Sequence, residues 1–190
     1  MKEMEERILA EGKVLPGEIL KVGSFLNQQI DSVLLSHMAQ EFARLYADAD
    51  VTKVLTIEAS GIAIAAALAM ELGVPMLFAK KNRTSNVDGS TYTTVVHSFT
   101  QNRDYNVVVS RDYLLPTDRV LLVDDFLAGG NALRGLVDLC DQAGAKVEGV
   151  AIAIEKCFTG AGDRLRAEGL RIESLAMIES MSDDGLTFRS

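Results

Sequence analysis

Along the chain, short runs of branched apolar residues alternate with longer stretches whose apolar positions recur every three to four residues. An unbroken apolar run fits a strand covered on both faces, and the three-to-four spacing fits a helix with one apolar stripe. Val120, Leu121, Leu122 and Val123 form the clearest run and predict a strand over 119–123. Comparable runs predict strands over 53–57, 74–79, 105–110, 146–155 and 170–178. Helical spacing covers 2–11, stopped by Gly12, and 32–47, with Leu34, Leu35, Met38, Phe42, Leu45 and Tyr46 on one side. It also covers 61–72, 131–143 and 159–168, with Gly73 and Gly144 where a left-handed residue commonly ends a helix. Residues 13–30, with Pro16, Gly17 and Gly23, read as irregular. Strands alternating with helices predict an α/β fold, a mostly parallel sheet with helices on both faces.

The stretch 80–106 breaks this rhythm. It carries Lys80, Lys81, Arg83 and Arg103 among many Ser, Thr and Asn residues, with weak strand character over 91–99. A hairpin or mobile flap is expected there. No internal repeat or linker divides the chain, so residues 1–190 read as a single domain.

Composition narrows the class. A chain of 190 residues, 48% hydrophobic with three prolines, is not a disordered one. Its length suffices to bury roughly 70% of the unfolded surface. The net charge is −8, and 80–83 is the one cluster of basic residues, so nucleic acid is not an expected partner. Cys140 and Cys157 read as reduced, buried thiols of a cytoplasmic protein, and no disulfide is expected. His37 and His97 lie far apart and have no ligand spacing, so no protein-held metal is expected. The apolar run 61–70 is too short to span a bilayer, and the charged N-terminus does not read as a signal peptide.

The strand at 119–123 leads into the chemistry. Asp124 and Asp125 follow it, then a short loop with Gly129 and Gly130, then a helix start at Asn131. Such a strand–loop–helix junction presents free backbone amides, which suit a phosphate. Carboxylates there would repel the phosphate, so they face something else, such as ribose hydroxyls or a hydrated Mg²⁺. The stretch reads as a site for a sugar phosphate that carries a metal. Glu58, Ala59, Ser60 and Gly61 form a second strand-to-helix loop in which small residues let backbone approach a ligand.

The run Asp124-Asp125-Phe126-Leu127-Ala128-Gly129-Gly130-Asn131-Ala132 resembles the donor-binding signature of the type I phosphoribosyltransferases. The resemblance implies that family's α/β fold, with a hood over the base and a flexible flap at about 80–106. It implies Asp124 and Asp125 as the catalytic acids, and Ala128 to Ala132 (Ala128, Gly129, Gly130, Asn131, Ala132) as the seat of the 5′-phosphate. Glu58, Ala59, Ser60 and Gly61 become the pyrophosphate loop, and Mg²⁺ accompanies the donor, 5-phosphoribosyl 1-diphosphate. The run here lacks the Thr found elsewhere in the superfamily at the loop's start and at its fourth position, where this chain has Ala128 and Asn131.

The segment 20–31 and the sequence Glu155-Lys156-Cys157-Phe158 are similar to those of bacterial dimeric xanthine phosphoribosyltransferases. That similarity implies a base-recognition hood from 1–30 and 155–190. In it Leu20 contacts the base, Asn27 bonds its edge, Lys156 reaches an exocyclic oxygen and Phe158 stacks on the ring. It also implies a homodimer acting in purine salvage, with xanthine and the diphosphate donor as substrates. A guanine/hypoxanthine enzyme and a non-catalytic sensor of the donor are the alternatives. A phosphoacceptor Asp and a dinucleotide fold fit less well, since the glycine loop suits bound phosphate and no Gly-x-Gly-x-x-Gly follows a strand.

Overall fold

The computed structural model describes residues 1–82, 89–98, 103–182 and 185–189. Helix α1 (Lys2–Glu11) leads into a small hairpin, β1 (Lys13–Leu15) and β2 (Ile19–Lys21), and a π-helical turn over Gly23–Asn27. There follow α2 (Ser32–Leu45), β3 (Lys53–Ile57), α3 (Gly61–Leu72), β4 (Met76–Asn82), β5 (Thr91–Ser98) and β6 (Arg103–Ser110). The second half holds β7 (Arg119–Leu127), α4 (Asn131–Ala143), β8 (Lys146–Lys156), a 3₁₀ turn (Cys157–Thr159), α5 (Ala161–Ala167), β9 (Ile172–Ser182) and β10 (Gly185–Phe188).

The large sheet has the strand order β10-β9-β8-β7-β3-β4-β6-β5. Its centre, β9 to β4, is parallel, and β10, β6 and β5 are antiparallel additions at the two edges. Successive residues of a strand point to opposite faces, so each central strand supplies two cores. Val54, Leu121 and Ala151 face one core with α1, α2 and α3, whereas Leu55, Leu122 and Val150 face another with α4 and α5. This is the expected parallel sheet covered on both sides.

Several boundaries differ from expectation, each for a physical reason. Residues 13–30 are regular, because Lys13–Leu15 and Ile19–Lys21 pair around a turn in which Gly17 and Glu18 both have positive φ. Strand β4 starts at Met76 because Pro75 has no amide to give a ladder, although its carbonyl accepts from Val54 N at 3.1 Å. Strand β7 does not stop at Val123: it runs through both acids to Leu127, since pairing with β8 continues to Leu127↔Glu155. Helix α2 ends before Tyr46, whose buried hydroxyl donates to Val150 O at 2.7 Å. A side chain at Gly149 would lie 2.3 Å from the Tyr46 ring, so only glycine admits this anchor. Asp31 caps α2 by accepting from Val33 N and Leu34 N, and those bonds with Arg7 beside it lower its carboxyl pKa.

The stretch 80–106 does form a hairpin. Strands β5 and β6 pair from Thr91↔Ser110 to Ser98↔Arg103, and β6 extends the sheet beyond β4. Tyr92 and Val96 pack on α4, where Gly135 leaves room, because a Cβ there would meet Val96 Cγ2 at 2.4 Å. The expectation of a mobile flap falls in part on 83–88 and 99–102, which lie outside the described residues.

Candidate active site

Adjacent parallel strands β3 and β7 end at the same edge of the sheet, so the loops that follow them lie side by side. Between them opens a cavity of about 250 Å³, lined by Glu58 and Ser60 from the first loop and by Asp124, Asp125 and 128–132 from the second. Ala59 and Gly61 complete the first loop, whose turn closes with Ile62 N donating to Ala59 O at 3.2 Å. Gly61 is needed there: a Cβ would stand 2.1 Å from Thr56 Oγ1 and 3.4 Å from Asp124 Oδ1.

The second loop ends at Gly130, with φ of 83°, from which α4 starts as Arg134 N donates to Gly130 O at 2.9 Å. The left-handed backbone and the packing of Leu165 Cδ1, 3.2 Å from a would-be Cβ, both select glycine. The first amides of α4 have no partner inside the helix and border the cavity. Asn131 donates its side-chain amide to His97 O at 3.2 Å, so one of its N–H groups ties the loop to β5 and is not directed at a phosphate.

The acid pair is buried, at 9% and 7% exposure. Asp124 Oδ1 accepts from Asp125 N at 2.9 Å, and Asp125 Oδ1 accepts from Phe126 N at 3.1 Å. Burial, then the neighbouring Asp125 charge, push the Asp124 carboxyl well above the usual carboxylate range, and Lys81 pulls weakly the other way. Glu58 Oε1 accepts from Lys81 N at 2.6 Å, joining the first loop to β4.

The expected base-site residues are gathered less tightly. Asn27 donates to Asp125 Oδ2 at 3.1 Å, joining residues 98 positions apart. Leu20 is largely buried in the core and, with Asn27, lines a second cavity of about 440 Å³ under the N-terminal hairpin. Lys156 and Phe158 are not among the residues lining either cavity. Lys156 Nζ donates to Glu18 O at 2.6 Å and lies 5.9 Å from the Phe126 ring, which does line the first. Burial lowers the Lys156 pKa. Phe158 packs against the apolar core.

Three polar lining residues escaped the sequence reading as site residues: Lys81, His97 and Tyr105. They come from β4, β5 and β6. Their chemistry was visible as a basic and polar stretch, but their approach to Asp124 depends on β6 folding back antiparallel to β4. Lys81 Nζ lies 5.9 Å from the Tyr105 ring, and His97 Nδ1 lies 2.7 Å from Asp104 Oδ1.

Among the described residues no group of three or more His, Cys, Asp or Glu could hold a metal ion. A protein-only cage is therefore not built here. Two adjacent buried carboxylates beside unpartnered helix-start amides do suit a Mg²⁺ that arrives with an anionic ligand, since such an ion needs only one or two protein oxygens. Cys140 and Cys157 are free and buried, and burial raises their thiols to about 12 and about 11. No described helix is long and apolar enough to cross a membrane.

Residues 23–165 match the phosphoribosyl transferase domain model. Xanthine phosphoribosyltransferase of Bifidobacterium adolescentis is 52% identical over 193 residues, covering 100% of both chains. That of Finegoldia magna is 50% identical, covering 99% of both. Among solved structures, the Giardia lamblia APRTase complexed with 9-deazaadenine superposes with a TM-score of 0.76 at 24% identity, over 90% of this chain and 96% of that one, a likeness of fold. Full-length matches of this closeness, with the domain model over residues 23–165, identify the chain as a member of the xanthine phosphoribosyltransferase family.

Proposed function

We propose that this protein is a purine-salvage enzyme that transfers the phosphoribosyl group of 5-phosphoribosyl 1-diphosphate to xanthine, giving xanthosine 5′-monophosphate and pyrophosphate. The observation that carries the reading is the convergence of Asp124, Asp125 and the 128–132 turn on one cavity. In the reaction a purine ring nitrogen forms a bond to ribose C1 while the bond from C1 to the diphosphate oxygen breaks, and that oxygen leaves with the electron pair. Positive charge builds on the ribose ring and negative charge on the departing pyrophosphate.

Each charge has a matching group. The amides of 128–132 receive the 5′-phosphate and hold the ribose in register. Asp124 and Asp125 face the ribose hydroxyls, and their charge favours the oxocarbenium-like ring. The loop 58–61 receives the pyrophosphate through backbone amides, and Lys81 adds a positive charge on the same side of the cavity. Asp124 and Asp125 are also the residues that would hold Mg²⁺, which when bound to the diphosphate neutralises charge on the leaving group. Closure of the segment around 80–106 would exclude water, which would otherwise hydrolyse the donor.

On the base side, the Lys156 ammonium is a donor only and favours a purine with an exocyclic oxygen over adenine. Leu20 and Phe158 supply apolar contact. One N–H of the Asn27 amide donates to Asp125, and its carbonyl is left to accept from a base N–H. We read the enzyme as a cytoplasmic homodimer. Phe78 and Tyr113 are exposed large side chains that, with Leu77, Val108 and Val109, line a groove of about 580 Å³ bordered by Glu58 and Lys81.

A steady-state panel tests the reading. With donor and Mg²⁺ fixed, xanthine should release pyrophosphate with the highest kcat/KM of xanthine, guanine, hypoxanthine and adenine. Preference for guanine or hypoxanthine would reassign the base, and no turnover with any purine would reject the enzyme.

A further inference from the structure

The two half-reactants of the proposed transfer sit on different chain segments. The donor rests on 128–132, which follows β7, and the base is met by 156–158, which follows β8. While β7 and β8 are paired their register is held by the ladder, whose last pair is Leu127↔Glu155. Beyond that pair β7 ends, while β8 keeps one more pair, Lys156↔Ile178 with β9, before the chain turns away, so between the two segments themselves something other than the ladder has to set the distance. In phosphoribosyl transfer that distance is the reaction coordinate itself, because the attacking nitrogen has to reach C1 within near-attack range.

One polar side chain spans the gap. The Thr159 hydroxyl lies 2.7 Å from Ala128 O in the phosphate loop and 2.9 Å from Lys156 O in the base segment. It also accepts from Ala161 N at 3.3 Å. The hydroxyl has one proton to donate, so the local contact to Lys156 O, of the kind a Thr makes to a carbonyl three residues back, is an alternative acceptor to Ala128 O. The shorter one, to Ala128 O, joins residues 31 positions apart and has no local reason to exist. The turn that carries Thr159 is itself held firmly from below. Glu155, 0% exposed, takes a two-pronged bond from Arg166 of α5 at 2.8 and 2.6 Å, and Ser174 Oγ lies 2.5 Å from it. Ala161 and Leu165 press on Gly130 from the same side. Apolar packing resists approach but is not directional, whereas the hydroxyl bond fixes how the Ala128 peptide is oriented toward the base segment.

We propose that Thr159 is a positioning residue that aligns the phosphate loop with the base-recognition turn, touching neither substrate. This rests on the proposed transferase reading and deepens it. Misalignment slows the chemical step more than it weakens binding of either substrate, because each half-site keeps its own contacts.

The experiment compares Thr159→Val, which keeps the shape and deletes the hydroxyl, with Thr159→Ser, which keeps the hydroxyl. Turnover is read as pyrophosphate release with xanthine, donor binding by calorimetry, and the xanthine KM from initial rates. The valine variant should lose about tenfold or more in kcat, with the donor Kd and the xanthine KM within twofold, and the serine variant should recover most of the rate. A valine variant as fast as the unsubstituted protein overturns the inference, as does a serine variant as slow as valine. Loss of donor affinity in step with kcat also overturns it, since the hydroxyl would then serve binding. An unsubstituted chain inactive with every purine overturns the transferase reading and this inference together, so the two failures are told apart.

Discussion

Asp124 pays for its place in the cavity with stability, and the sign of that effect can be worked out. Its carboxyl is raised in the folded chain, so the neutral form is favoured there relative to the unfolded chain. The contribution of this one carboxyl to stability is therefore greatest at acid pH and is lost as pH rises past the unfolded value near 4 toward the raised folded one. Asp124→Asn removes that loss: its melting temperature at pH 7 should exceed the parent's and its stability should depend less on pH, while kcat drops about 100-fold or more. Calorimetric scans from pH 4 to 8 beside steady-state assays check this; a melting temperature that falls would show the carboxylate to be structural. Lys156→Ala should raise the xanthine KM about tenfold, the size of one charge-assisted hydrogen bond, and leave the donor KM nearly unchanged. Matching rises for both substrates would contradict its base-side role.

At the scale of elements, the end of β8 shows a choice that local propensity does not explain. Burying Glu155 against Arg166 brings desolvation that a pair of apolar residues would avoid. What the pair provides is a fixed attachment of α5 and the 157–159 turn, tightened by Arg166 donating to Ile172 O and by Gly162, where a Cβ would meet Glu155 Oε1 at 1.9 Å. Removing only the cation leaves a buried unpaired carboxylate. Arg166→Met should thus cost about 3–5 kcal/mol in urea unfolding, far more than an exposed pair such as Lys2–Glu6 contributes. The hairpin of β5 and β6 makes the opposite case. Its second strand is plain in the sequence and its first only weakly so, yet Tyr92 and Val96 find a floor on α4 and both become sheet. Tertiary packing reinforced a weak strand signal there.

At the scale of the whole molecule, the proposed homodimer would bury the groove lined by Phe78 and Tyr113. Phe78→Glu should shift sedimentation from twice the 20.6 kDa of one chain to that of the monomer, with near-native circular dichroism. A parent that is already monomeric would remove the dimer from the reading. The order of the central strands and helices, the covered parallel sheet and the loop with Asp124, Asp125, Gly129 and Gly130 were legible in one dimension, whereas β1, β2 and β10 were not. Periodicity reports which faces are buried, and a helix start after a buried strand reports where amides are free. What only the folded chain decided lies in contacts between distant segments. Asn27 meets Asp125 across 98 positions, Lys81 and His97 join the cavity through an antiparallel return, and Thr159 reaches Ala128. Such meetings depend on strand order and on how edge elements fold back, and side-chain spacing along a chain carries information about its own neighbours but none about which other segment will be packed against it.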